Sequence, residues 1–281
     1  MNIRNKYLFK NIGILTISNF SSKILVFLLV PIYTSVLSVD DVGTYDLIVS
    51  TISLAFPILT MNIVDGVMRF TMEKTKDKQI IVSIGIKYII ISWCIFAILL
   101  NLIKWLGLFS SIIGYERIIY LYFVFYTFNQ FMNQLSKGLE RVLDMGIAGI
   151  LSTVIMFGGN IYSLFVLKSG LRGFITVNVL SQIVSSFYFI LRLELWKYLK
   201  NFKVDLKIQK EMLLYSVPLI ASTIGWWINS SFDKYIVTLM CGITANGLLA
   251  VAYKIPQIIN TIQGIFIQAW RILPKKRMTM N

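Results

Sequence analysis

Charged and amide side chains recur in this chain inside runs that are otherwise apolar enough to lie in lipid. Lys23 follows Asn19 by one helical turn, and Asp65 and Arg69 share that spacing. Asn129, Gln130, Asn133 and Gln134 form an amide run, and Asn229, Asp233 and Lys234 precede Lys254, which stands beside Pro256. An ionisable group at a bilayer centre costs about 2.5–3.5 kcal/mol on insertion scales, so it marks a pairing or a binding site. Lysine offers a point charge suited to phosphate. Lys23 lies ~18 Å along its apolar run, too deep to reach the surface cheaply. It either lines a cavity or bonds to carbonyls of a neighbouring helix. Pro256 frees the carbonyl of Ala252, so Lys254 beside that kink either lines a cavity or snorkels to the nearer surface. Adjacent helical residues point about 100° apart, so Asp233 does not pair with Lys234. It pairs with a cation on another helix or binds a coupling ion, with Asn229 one turn away on its face. The pairs Asn129/Asn133 and Gln130/Gln134 bond between helices or meet a polar cargo. Asp65 and Arg69 make a modest ion pair or a contact at a gate, and Lys87 snorkels.

Several chemistries are excluded. The chain has no histidine, so imidazole acid–base, triad and His-ligated metal chemistry are absent. Its two cysteines, Cys94 and Cys241, fall in or beside different apolar runs and imply neither a disulfide framework nor a metal site. No nucleotide-binding glycine loop is present. No catalytic residue, metal or cofactor is expected, and the chain is not read as an enzyme.

The positioning elements are membrane spans. The chain is 57% hydrophobic and only 14% charged, against about 25% charged in soluble domains. Eight apolar runs, about 11–36, 46–66, 80–103, 117–136, 145–167, 173–191, 212–240 and 247–270, reach or exceed the ~18–20 residues that cross a bilayer. The fold class is therefore an all-α, polytopic integral membrane protein of about eight transmembrane helices. The first run is too long for a signal-peptide core and should stay as a span. With the N-terminus in the cytoplasm, 19 of the 27 Lys and Arg fall in cytoplasmic segments and four in external loops. That bias places both termini in the cytoplasm. It also accounts for the net charge of +14 as a topology signal, so nucleic acid is not an expected partner. The basic stretch 192–211 reads as a linker or an interfacial helix, with Leu193, Trp196, Leu199 and Phe202 against anionic membrane lipids.

A weak internal echo divides the chain. YTSVLSVDDVGTYDL (Tyr33–Leu47) and VTLMCGITANGLLAV (Val237–Val251) align with Gly43 on Gly247 and Thr34 on Thr238. Parallel six-helix repeats are one known transporter architecture. The expected domains are a six-helix lobe over 1–191, the linker over 192–211, the first two helices of a second lobe over 212–270, and a basic tail over 271–281.

KNIGILTISNFSSKILVFLLVPIYTSVLSVDDVGTYDLIVS (Lys10–Ser50) resembles the opening of polysaccharide and oligosaccharide flippases, members of the multidrug/oligosaccharidyl-lipid/polysaccharide exporter superfamily. The shared features are Pro31, the Leu37-Ser38 turn, Gly43-x-Tyr45-Asp46, and Arg69-Phe70 closing the second helix. Trp226-Trp227, Asp233-Lys234, Ala252-Tyr253-Lys254-Ile255-Pro256 and Ile267-Gln268-Ala269-Trp270 resemble that family's seventh and eighth helices. The resemblance implies two lobes around a central cavity. It implies movement of an undecaprenyl-diphosphate-linked oligosaccharide across the bacterial cytoplasmic membrane by alternating access, for cell-surface polysaccharide synthesis. A coupling cation of unknown identity and a polysaccharide polymerase are the further partners it implies. Cations would meet the diphosphate, and amides and aromatics the sugar. The tail RILPKKRMTMN does not resemble the family, so a shortened member is expected, with an inactive remnant as one alternative. A drug/cation antiporter of the same superfamily is another; it predicts an acidic cavity.

Overall fold

A computed structural model describes residues 24–73, 75–107, 114–200, 202–254, 256, 259 and 263. Asn19, Lys23 and the tail 271–281 lie outside the described residues. The described chain is all-α. Its elements are α1 (Ile24–Thr34), α2 (Val39–Leu59), α3 (Ile63–Met72), α4 (Lys78–Trp105), α5 (Glu116–Gly138), α6 (Val142–Ile161), α7 (Gly170–Leu193), α8 (Leu195–Leu199), α9 (Leu206–Cys241) and α10 (Ile243–Ala252). A π-helical turn, Tyr162–Val166, extends α6. Among the described residues, five helices are long and apolar enough to cross a membrane: α2, α4, α6 with its π turn, α7 and α9. Helix α5 is 23 residues long but carries the amide run, which lowers its hydropathy.

The second helix departs from the expected span in two ways. It begins at Val39, where Ser38 and Asp41 form a capping box. Asp40 and Asp41 lower the hydropathy of that first turn, yet carboxylates there satisfy orphan N–H groups and suit the positive end of the helix dipole. It then breaks, because Met61 and Asn62 take left-handed backbone with φ of 51° and 48°. The N–H groups at the break stay bonded, which matters at membrane depth. Thr60 N–H donates to Phe56 O, Met61 N–H to Ile58 O, Asn62 N–H to Pro57 O and Ile63 N–H to Thr60 O. Helix α3 resumes and carries the chain on to Met72.

Helix α9 has 36 residues, or ~54 Å of rise, well beyond the ~30 Å of a bilayer core. Asp205 caps it by accepting from the N–H groups of Lys207 and Ile208. Before it, Glu194 turns the chain with φ 51°, and α8 is a single short helix. Leu193 and Leu195 are buried there, while Trp196 and Phe202 are exposed.

The core falls into three clusters. One, around Val67, Ile84, Phe131, Phe189 and Met212, joins α3, α4, α5, α7 and α9. A second, around Ile52, Phe123 and Ile175, joins α2, α4, α5 and α7. A third, around Leu29, Tyr33, Phe174 and Ala250, brings α1, α2, α7 and α10 together. The bundle has two ends. The connections α3–α4, α5–α6 and α7–α9 lie at the end rich in Lys and Arg, called here the basic end. The turns α1–α2, α4–α5, α6–α7 and α9–α10 lie at the opposite end.

At that opposite end α2 and α10 come into backbone contact. A Cβ on Gly43 would overlap the Ile243 carbonyl oxygen, and one on Gly247 would overlap the Val39 carbonyl oxygen. Only glycine permits this approach. Thr244 Oγ1 donates to Asp40 Oδ1 at 2.6 Å, across 204 residues of sequence. Asn246 Nδ2 donates to Gly43 O at 3.0 Å. Gly43 meets Gly247 and Asp40 meets Thr244, so positions aligned by the sequence echo touch one another.

Candidate functional site

Helix α9 runs antiparallel along α2 and α3, and its last turns bring Lys234 against α2. Lys234 is 8% exposed. Its Nζ lies 3.0 Å from both oxygens of Asp46 and 3.3 Å from Ser50 Oγ. The bond is well aligned to Oδ1 only, so Asp46 Oδ2 is buried without a hydrogen bond. Neighbouring turns are tied by neutral bonds. Trp227 Nε1 donates to Ser50 O at 2.9 Å, and the hydroxyls of Tyr235 and Thr51 lie 2.6 Å apart. Asp46 stands seven residues into α2 and Lys234 seven before the end of α9, so both sit ~10 Å below the opposite end.

Lys254 completes the group. It follows α10, ~16 Å from that helix's start, and is half-buried. Among the described residues no carboxylate makes an ion pair with it, and Tyr253 beside it bonds to Asp233, the neighbour of Lys234. Tyr45 precedes Asp46 on α2, and Tyr235 follows Lys234 on α9 and bonds to Thr51 of α2. The buried Asp46–Lys234 pair and Lys254 are thus linked through the Asp233–Tyr253 bond. Lys254 is the member without an ion pair among the described residues, and a cation held away from bulk water attracts an anion strongly.

The other expected residues distribute as follows. Asp233 meets no cation among the described residues; Oδ1 accepts from the Lys234 N–H, and Oδ2 accepts from the Tyr253 hydroxyl. The adjacent pair thus divides its work, with Lys234 turned to α2 and Asp233 to the residue beside Lys254. Asn229 is exposed on α9, one turn before Asp233. Asn129 Nδ2 donates to Ser185 Oγ of α7 at 2.8 Å, and Asn133 Nδ2 donates back to Asn129 O and Oδ1. Asn129 and Asn133 are thereby engaged within α5 and between α5 and α7.

Asp65 and Arg69 do not pair. Asp65 accepts from Asn62 Nδ2 at 2.9 Å and from Gln134 Nε2 at 2.6 Å, which ties the α2–α3 break to α5. The exposed Arg69 guanidinium instead lies 4.3 Å from the centre of the Tyr215 ring on α9, a cation–π contact. Lys87 Nζ donates to Gln209 Oε1, in the first turn of α9, at 2.9 Å. With Lys76 bonded to Glu211 at 2.6 Å, these contacts hold the start of α9 to α3 and α4 at the basic end.

Asp46 is the buried, ion-paired residue that hydropathy missed. A span starting at residue 46 puts it at the surface. The capping signal at Ser38, three residues before Asp41, starts the helix two turns earlier and carries Asp46 inside. Among the described residues no group of three or more His, Cys, Asp or Glu could hold a metal ion.

The chain resembles solved transporters of known fold. It is 17% identical to an inward-facing multidrug resistance MATE family transporter of the MOP superfamily, over 89% of this chain and 63% of that one, with a TM-score of 0.66. It is 18% identical to a mutant MATE protein, over 91% of this chain and 63% of that one, with the same TM-score. It is also 18% identical to the MATE transporter ClbM in complex with Rb+, over 93% of this chain and 66% of that one, at a TM-score of 0.52. The chain thus spans about 63% of the length of the first two, and at these identities the likeness concerns the fold. No curated protein matches the sequence significantly. The sequence profile described as "Polysaccharide biosynthesis protein" matches residues 8–271. With nearly the whole chain inside that profile and a fold shared with MOP-superfamily transporters, this multi-pass membrane protein belongs to the polysaccharide biosynthesis protein family.

Proposed function

We propose that the chain serves as a flippase for an undecaprenyl-diphosphate-linked oligosaccharide, working by alternating access in the bacterial cytoplasmic membrane. The observation that carries this reading is the pair of lysines at the site: Lys234 is bound to Asp46, and Lys254 makes no ion pair among the described residues. A diphosphate is the part of such a cargo most costly to bring through lipid, and a partly desolvated lysine pair offsets that cost. The basic end faces the cytoplasm in this reading, in keeping with the positive-inside rule. The contacts of Gly43 with Gly247 and Asp40 with Thr244 support two lobes related by a twofold axis, of which α9 and α10 begin the second. The amides of α5, Tyr45 and Tyr235 are the candidates for sugar contacts. Lys23 and Asn19, outside the described residues, remain candidates for cargo contact from the sequence.

Binding to the purified chain in lipid nanodiscs tests the reading. Undecaprenyl diphosphate is expected to bind and undecaprenol much less, with Lys254→Ala weakening the diphosphate about tenfold, or 1.4 kcal/mol. Equal binding of the alcohol and the diphosphate would remove the phosphate from the reading. Complementation of a strain lacking its saccharide exporter then reports transport by the chain and its variants.

A drug/cation antiporter is the second reading, favoured by the fold likeness to multidrug transporters. The site argues against it, because a cationic drug would meet two lysines. Ethidium export lost on Asp233→Asn, with no binding of the diphosphate, is the result that would select it.

A further inference from the structure

The Asp46–Lys234 pair does two things at once, and that carries an inference beyond cargo binding, though it rests on the anionic-cargo reading above. The pair belongs to the site, and it is also the charged tie between α2 and α9 near the opposite end, with side chains 10% and 13% exposed for Lys234 and Asp46. We propose that it is a latch released by cargo: the anionic head competes with Asp46 for Lys234, and α2 then parts from α9 and α10.

The geometry gives the order of events. Lys254 lies ~6 Å nearer the basic end than Lys234, so an anion arriving from that end meets Lys254 first. Lys254 lacks an ion-pair partner among the described residues, so it can hold the anion without breaking anything. The second lysine is then within reach, and it is bound to a carboxylate by one aligned bond, with Asp46 Oδ2 left open. A diphosphate bridging both lysines brings at least two negative charges beside Asp46. Before it arrives Lys234 is matched by Asp46 and Lys254 has no ion pair among the described residues; afterwards the anion matches both lysines and Asp46 is the surplus anion. In a site this poorly hydrated, like charges repel strongly, and Asp46 is the member that can leave because it sits on the other helix.

What leaves with Asp46 is the seal. Gly43, one turn earlier on α2, packs on Ile243 and Gly247, and Asp40 one turn before that accepts from Thr244. These contacts tolerate no intermediate spacing, because they are backbone against backbone. Moving α2 away from α9 at Asp46 therefore opens the opposite end as a unit. The ties at the basic end, Lys76–Glu211, Arg69–Tyr215 and Lys87–Gln209, lie on other turns and are untouched by the exchange. A neutral cargo cannot turn the latch, which makes it a check on cargo charge as well as a coupling device.

Spin labels at Ser35→Cys and Met240→Cys, both on the exposed turns at the opposite end, report the separation in a Cys94→Ser, Cys241→Ser background. The probes are farnesyl diphosphate and, as the uncharged control, farnesol. Farnesyl diphosphate is expected to raise the population of long distances about threefold, and farnesol to leave it unchanged. Asp46→Asn should show the long distances without any probe while still binding the diphosphate. Lys234→Gln should show them too, and should no longer respond. If farnesyl diphosphate binds at saturation and the distances stay fixed, the latch is wrong and the anionic site survives. If it does not bind, and binding is not gained in Asp46→Asn, both the latch and the phosphate-binding reading fail.

Discussion

Asp46 and Lys234 are 188 residues apart in sequence and 3.0 Å apart in space, so each is the reason the other can be buried. Removing one partner of a buried pair leaves an uncompensated charge and costs about 3–5 kcal/mol, whereas replacing both by apolar groups of similar size is near neutral. Lys234→Met should therefore lower thermal stability in detergent markedly, and adding Asp46→Leu should recover most of the loss; additive losses would refute the pairing. The cluster at the basic end behaves differently. Asp144 is buried and accepts from Tyr188 Oη and Arg192 Nε at 3.0 Å and pairs with Arg141 Nε at 3.1 Å, but both arginines are substantially exposed. Solvent screens such pairs, so Asp144→Asn should produce only a modest downward shift of the melting temperature, well short of that for Lys234→Met. At this scale, sequence marked Lys254 as a cation that either lines a cavity or snorkels. It could not tell that Lys234, not Asp233, makes the ion pair to another helix, because a 100° difference in direction means nothing until the neighbouring helix is in place.

Helix α2 shows what propensity contributes and where hydropathy misleads. The Ser38–Asp41 box decides where the helix begins, and Ser38→Ala should cost about 1 kcal/mol. A fall in melting temperature without loss of the Asp46–Lys234 tie would show that the effect stays at the cap. The break at Met61–Asn62 is a second test. Asn62 adopts left-handed backbone more readily than most residues, so Asn62→Gly should be tolerated, apart from the lost bond to Asp65, while Asn62→Val should add about 1–2 kcal/mol of strain. Equal stability of the two variants would mean that the backbone there relaxes. The break was invisible to hydropathy, since Thr60–Asn62 lies inside an apolar run; its only trace is Pro57 upstream and an asparagine able to turn left-handed. Helix α9 was legible in type and wrong in extent. Its polar first turns, from Leu206 to Glu211, fall below the hydropathy of a span but are capped by Asp205 and bonded to Lys76 of the α3–α4 turn and Lys87 of α4.

For the whole molecule, the close contact of α2 with α10 is the feature with most consequence. Gly43→Val would drive a branched side chain into the backbone of α10, where overpacking typically costs about 1–3 kcal/mol. The expected outcome is separation of the two helices, read as loss of disulfide formation between Asp40→Cys and Thr244→Cys; undiminished cross-linking would show that the contact is not required. Composition, span lengths and the uneven spread of lysine and arginine determined by themselves that this is an all-α, multi-pass membrane protein, because a bilayer imposes long apolar helices and sorts basic charge. They also marked Lys254 and the amide run, since polar groups in apolar runs stand out against their neighbours. Only the tertiary structure decided which of those groups form a site. A charge buried in lipid is stabilised by pairing, and the partner of Lys234 comes from a helix 188 residues away. Asn129 and Asn133 are engaged by Ser185 and by each other, while Asp46, which looked like a surface residue, is the carboxylate that holds Lys234.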